Sequence, residues 1–283
     1  MKNAKKMGLR FVSAVMCASL MFGLAACKKQ PEETSAEFTA PNVAAARTFN
    51  GTANIADAKP GDTIVFGKYE QDNVTSNGEE YIEWLVLDND GEKVLVISKD
   101  VLDWMRYSGS TTVWEYSELR EWLNNDFYNS AFTSEEQSSI ALSVVDNPGN
   151  PVFGTAGSSG TNDNVFLLSF DEAKTYFAFN TWDEGTYSGY SQYMISGATT
   201  WAQGRKLAGC YPVTEEYYNL VLSNYGYSNT CLTLSGSDWW LRTNGSDGNY
   251  ACVAGMYGSL DASNCVDITY VKGVRPAMYL TIG

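Results

Sequence analysis

The sequence predicts an α+β fold: a single domain of mixed antiparallel sheets with several short helices. Three observations carry this. Short β-rich runs separated by turn residues occupy residues 61–98. Apolar residues at helical spacing follow, between residues 117 and 177. β-rich runs then return from residue 238 to the end. Strands, then helices, then strands is the order of an α+β domain.

The elements follow in chain order. Thr63, Ile64, Val65 and Phe66 form a first strand that Gly67 ends. Residues 82–87 and 93–98 are two further β-rich runs, and Asp88, Asn89, Asp90 and Gly91 between them make a hairpin turn. The period then changes. Leu119, Trp122, Leu123 and Phe127 recur at helical spacing, with Glu118, Glu121 and Asn125 on the other face and Ser117 as N-cap. Thr133 with Glu136 is a capping-box pattern that starts a second helix. Residues 163–168 are expected as a strand leading into a third helix, capped by Ser169 with Glu172 and ending near Phe177. A fourth helix starts near Thr200. Residues 148–161 and most of 179–196 are expected as loops, and residues 238–243, 250–256 and 274–280 as closing strands.

Ahead of the domain, residues 1–26 have the three zones of a signal peptide. Lys2, Lys5, Lys6 and Arg10 make a basic start without acidic residues. Residues 11–24 are an apolar run too short for a comfortable membrane span. Leu24, Ala25, Ala26 and Cys27 resemble the lipobox of bacterial lipoproteins, which implies lipidation of Cys27 and a membrane anchor facing the exterior. An ordinary signal peptide with a chance cysteine is the alternative. Residues 27–60 lack apolar periodicity and are expected as a flexible tether, which as a coil would span about 30 Å. The folded domain is expected over residues 61–283.

Composition narrows the function. The chain holds 33 acidic against 19 basic residues, and loss of residues 1–26 removes four basic and no acidic ones, giving a net charge of −18. Such a chain repels nucleic acid and anionic head groups, so its partner at the membrane is its own lipid. It contains no histidine, which excludes His-dependent nucleophiles and His-ligated metals. Beyond Cys17 and Cys27, four cysteines remain: Cys210, Cys231, Cys252 and Cys265. In an exported chain they are expected as two disulfides. The favoured pairing is Cys210–Cys231 and Cys252–Cys265, with a four-cysteine zinc site as the alternative.

Several segments resemble an uncharacterised bacterial extracellular family, the domain of unknown function 6273. They are residues 66–71, 83–88, 117–124 and 163–169, then Trp239, Trp240, Leu241 and Arg242, and finally residues 273–277. The resemblance spans nearly all of residues 61–283 and implies no activity. The order of strands, helices, a long loop and strands also resembles the C-type-lectin-like fold, in the variant of formylglycine-generating enzymes, with Gly273, Val274 and Arg275 in place of a late Gly-Phe-Arg segment. That enzyme chemistry needs a closely spaced cysteine pair, which is missing here, so the resemblance implies scaffold alone.

Candidate ligand-binding residues are Trp240, Arg242, Trp182, Tyr187, Tyr190 and Asp247. On a strand, Trp240 and Arg242 share one face, an aromatic platform beside a guanidinium suited to a sugar or a carboxylate. The commoner arrangement is a core tryptophan with Arg242 in a buried pair with Glu83 or Glu115. Arg120 and Arg275 are expected in structural ion pairs. Trp182, Tyr187, Tyr190 and Tyr193 lie in an aromatic loop that suits glycan or protein recognition, or that is simply pinned to the core. Asp247, in the turn from Asn244 to Asn249, offers a weak calcium site with Asp261 and Asp267, against a plain hairpin loop. A glycosidase would need two carboxylates about 5 to 10 Å apart, and 33 acidic residues supply such pairs by chance. The expected function is a surface-anchored, lectin-like binding module for a glycan or a surface protein. No catalytic residue is assigned. The alternatives are an extracellular carboxylate-dependent hydrolase and a structural envelope protein without a ligand.

Overall fold

The computed structural model describes residues 46–207 and 236–283. The segment expected as a signal peptide, Cys27, most of the expected tether, Cys210 and Cys231 lie outside the described residues. Order is present ahead of Gly61. Strand β1 (Thr48–Asn50) runs parallel to β2 (Thr63–Tyr69), and a 3-10 turn over Ile55–Asp57 puts Ile55 into the core. Order therefore begins earlier than the expected boundary at Gly61, because a three-residue strand and one buried isoleucine leave no periodic signal.

β2 pairs antiparallel with β3 (Glu80–Asn89), which turns into β4 (Lys93–Ser98). The expected hairpin forms, with Asp90 Oδ1 accepting the N–H groups of Glu92 and Lys93. Gly67 stands at a bulge in β2 with φ +72°, and a Cβ there would sit 2.5 Å from Phe132 Cε1. The glycine lets the strand bend over that ring.

β5 (Asp103–Arg106) precedes the helical section. α1 (Glu118–Trp122), a π-helical turn over Leu123–Phe127 and α2 (Tyr128–Ala131) follow one another without a break. Leu119, Leu123 and Phe127 are buried along it, as their spacing predicts, and Ser117 Oγ accepts the Arg120 N–H. α3 (Ser134–Ser138) starts at the Thr133–Glu136 capping box. β6 (Ser143–Asn147) and β7 (Ser158–Asp163) then pair as a two-stranded ribbon. The strand expected over residues 163–168 is thus displaced. The ladder stops at Asp163, and Val165, Phe166, Leu167 and Leu168 run buried through the core with one bridge, Phe166 to Ala277. A short continuous apolar run does not distinguish a strand from a core-crossing segment.

α4 (Phe170–Tyr176) begins at the Ser169–Glu172 capping box. The loop expected over residues 179–196 holds a small hairpin, β8 (Thr181–Asp183) and β9 (Ser188–Tyr190). α5 (Thr200–Leu207) follows, then β10 (Trp239–Asn244), β11 (Tyr250–Ala254), β12 (Ser259–Asp267), β13 (Val271–Val274) and β14 (Ala277–Thr281). One sheet has the order β1-β2-β3-β4-β14 and a second β5-β13-β10-β11-β12-β9-β8. The fold is α+β. No helix among the described residues is long and apolar enough to cross a membrane.

Candidate functional site

The Trp239–Arg242 segment lies on β10, between β13 and β11, and the sheet buries both of its faces. Trp240 is fully buried, its Nε1 donates to the Met105 carbonyl at 2.9 Å, and its ring meets Tyr107 edge-on at 5.6 Å. Arg242 is also buried. Its Nη2 donates to Glu172 Oε1 and to the Asp146 carbonyl, both at 2.7 Å, and its Nη1 donates to Glu172 Oε2. The platform expected from Trp240 and Arg242 is therefore core. The ion-pair partner is Glu172, not Glu83, which holds Lys99, nor Glu115. Arg120 does form a structural pair, with Asp163 at 2.7 Å. Arg275 does not. It is buried between the rings of Trp239 and Phe177, 5.2 and 5.7 Å from its Cζ, and Nε donates to the Ser98 carbonyl. Burial lowers its pKa to about 10, opposed by the nearby Asp100 charge.

The aromatic hairpin behaves differently. Tyr187 and Tyr190 are exposed, at 38% and 39%. Trp182 is partly buried, its ring held by Phe170 at 5.9 Å and Phe179 at 5.2 Å, with Lys174 Nζ 4.6 Å from the ring centre. β8, β9 and β12 enclose an open groove of about 390 Å³, lined by Trp182, Asp183, Ser188, Gly189, Ser259 and Asp261. Gly189 makes room for the indole, since a Cβ there would overlap Trp182 Cε3. Asp183 Oδ1 accepts the Gly185 N–H at 3.0 Å, and Asp261 Oδ1 accepts the N–H and hydroxyl of Ser263 at 2.7 and 2.6 Å. Strand alternation sets both carboxylates on one face with Ser188, and the Trp182 indole backs the hairpin from the core side. Asp183, Ser259 and Gly189 carry no sequence signal as site residues. The register of three short strands brings them together.

Asp247 is exposed, and its Oδ1 caps its own turn by accepting the Asn249 N–H. Asp261 and Asp267 likewise cap their own turns, through Ser263 and Thr269. They do not gather as a calcium site would require. Among the described residues the carboxylates that converge are Glu70, Asp72 and Glu80, with ligand atoms within 4.8 Å of one another. Burial, and the neighbouring Glu80 and Asp72 charges, raise the Glu70 pKa, opposed by a hydrogen bond from the Asn73 N–H.

Cys252 on β11 faces Cys265 on β12 in register, with Sγ atoms 3.7 Å apart. The expected pairing is correct in position, but both are free thiols and no disulfide joins them. The hydrogen bond between them, and then burial, push the Cys252 thiol up. The same hydrogen bond, helped by the Ser246 N–H, lowers Cys265.

No curated protein and no solved structure matches the chain, so the C-type-lectin-like resemblance gains no support from a solved fold. A family model does match, over residues 91–282. That range takes in four of the six motifs singled out in the sequence, from residues 117–124 to residues 273–277, and leaves out residues 66–71 and 83–88. Covering about two thirds of the sequence, it shows that the chain belongs to the domain of unknown function family DUF6273.

Proposed function

We propose that this protein is an exported, lipid-anchored binding module that takes a neutral saccharide in the groove between β8, β9 and β12. The anchor rests on the lipobox pattern ending at Cys27. The observation that carries the ligand class is the polar face of the groove, where Asp183 and Asp261 flank Ser188 in register, with Tyr187 and Tyr190 exposed on the same hairpin. An exposed tyrosine ring offers an apolar face to sugar C–H groups, and carboxylates accept from sugar hydroxyls. The acidic surface repels polyanionic glycans and favours neutral ones. A lectin-like scaffold and an oxidised Cys210–Cys231 pair belong to the same reading.

The test is a glycan array probed with the full-length chain in detergent, containing neutral and anionic polysaccharides. Neutral glycans should bind, and Asp183→Asn and Asp261→Asn should abolish binding while near-ultraviolet circular dichroism is unchanged. Tyr257→Ala, an exposed aromatic outside the groove lining, should bind as the wild type does. No binding by correctly folded protein would sink the reading. Capture of a surface protein instead, or steady release of reducing ends, would replace it with the protein-binding or hydrolase alternative.

A further inference from the structure

Cys252 and Cys265 are not equivalent, and the difference has a chemical meaning. They oppose each other on antiparallel strands, where facing Cα atoms lie about 4.5 to 5.5 Å apart, inside the range a disulfide spans. Their sulfurs need to close from 3.7 Å to about 2.05 Å, a movement that side-chain rotation supplies. Cys252 is fully buried, and its sulfur accepts from Asn150 Nδ2 at 3.2 Å. Cys265 is partly exposed, in reach of a co-reactant. Its sulfur also receives the Ser246 N–H, which stabilises a thiolate.

We propose that Cys252 and Cys265 form an oxidisable dithiol, with Cys265 as the attacking thiolate and Cys252 as the resolving thiol. The co-reactant is a disulfide, small or borne by another protein. Cys265 Sγ attacks one of its sulfurs, forming a mixed disulfide and expelling one thiolate. Cys252 then attacks Cys265 Sγ and expels the second. One S–S bond breaks and one forms. The protein loses two electrons to the co-reactant, and the two thiol protons go to the leaving thiolates. The pair also sits beside an irregularity in the β11–β12 ladder. β11 and β12 match Cys252 to Cys265 and Ala254 to Leu260, so residues 261–264 of β12 bulge out against Val253 alone. Asp261, on the groove wall, belongs to that bulge. Closing the bond pins the bulge at its Cys265 end. The dithiol chemistry stands on the cysteine geometry and is independent of the groove's ligand.

The experiment is glutathione titration of the full-length chain, with differential alkylation and peptide mapping. Oxidised glutathione should yield a peptide pair linked through Cys252 and Cys265. In the reduced protein Cys265 should alkylate at least about tenfold faster than Cys252, the ratio that one unit of pKa separation gives. In Cys252→Ser the mixed disulfide should be trapped on Cys265, whereas in Cys265→Ser Cys252 should stay free of glutathione. A linkage of either cysteine to Cys210 or Cys231, or the reverse trapping pattern, would overturn the proposal. So would persistence of both thiols in oxidised glutathione with the fold intact. The wild-type mapping decides the pairing even if a variant fails to fold.

Discussion

Glu172 Oε2 accepts from two directions at once: from the Ser169 N–H at the start of α4, at 2.8 Å, and from Arg242 Nη1 on β10. One carboxylate thus caps a helix and neutralises a buried guanidinium, fastening α4 to the centre of the larger sheet. Removing one member of such a pair leaves the other charge stranded, at a cost of about 3 to 5 kcal/mol when both are deeply buried. The Glu172 side chain keeps 26% exposure, so Arg242→Met should lower unfolding free energy by about 3 kcal/mol, near the bottom of that range. Glu172→Ala should add the loss of a cap, about 1 kcal/mol. Urea denaturation of both variants and the double mutant checks this. The double mutant should be less destabilised than the sum, because the two residues interact directly.

Gly67 gives a second stability prediction. Its φ of +72° disfavours any side chain, and an alanine Cβ would press on Phe132 Cε1 at 2.5 Å and the Ala131 carbonyl oxygen at 2.9 Å. The carbonyl belongs to the end of α2 and cannot rotate away as a flexible side chain could. Gly67→Ala should therefore destabilise by about 2 kcal/mol or more, from backbone strain and overpacking together. Thermal unfolding reads this, with Gly61→Ala as the control. Gly61 shares a positive φ but has open space around it, so its variant should show the strain component alone.

These two sites also show what the sequence makes legible. The Ser169–Glu172 and Thr133–Glu136 boxes can be read directly, because a cap is decided by residues three apart. The hairpin at residues 88–91 is legible for the same reason. Arg242 is not: its partner lies 70 positions away, and only the packing of α4 on β10 brings Glu172 to it. Strand alternation fails at Trp240 for a related reason. A strand placed centrally in a sheet covered on both sides has no solvent face, so alternation carries no inside–outside information there. The groove was half legible. Trp182, Tyr187 and Tyr190 stand out by composition, whereas β8 and β9 are only three residues each. Their strand character depends on neighbours, which brings Asp183 to the groove.

Glu70 predicts a pH dependence. Its folded pKa lies above the unfolded value, so the native state holds the proton more tightly. Its contribution is fully present below the unfolded value, near 4.5, and is lost as pH rises through the raised folded pKa. At neutral pH the ionised Glu70 opposes folding, since it is buried and has Glu80 and Asp72 close by. Glu70→Gln should therefore raise stability at pH 7 and leave it nearly unchanged at pH 4. Chemical denaturation at both pH values measures the difference. A variant that is less stable at pH 7 would mean that the hydrogen bonds Glu70 accepts from the Val74 and Asn73 N–H groups outweigh the repulsion.

Gly189 links the fold to the groove. The indole of Trp182 occupies the space that a side chain at residue 189 would take, and Trp182 and Gly189 are direct partners across β8 and β9. Gly189→Ala must push the ring outward against Phe179, or lift β9 away from β12, which it meets at Leu260. Overpacking of this kind costs about 1 to 3 kcal/mol, an amount that a sheet of seven strands survives. The groove should not survive it, because β9 carries Ser188 between Asp183 and Asp261 and their spacing would no longer hold. On the neutral glycan that the wild type binds, Gly189→Ala should weaken affinity about tenfold, equivalent to about 1.4 kcal/mol, with a shifted tryptophan emission maximum and an intact far-ultraviolet spectrum. Unchanged affinity with a displaced Trp182 would mean that the sugar is held by the tyrosines, independently of how the indole seats β9.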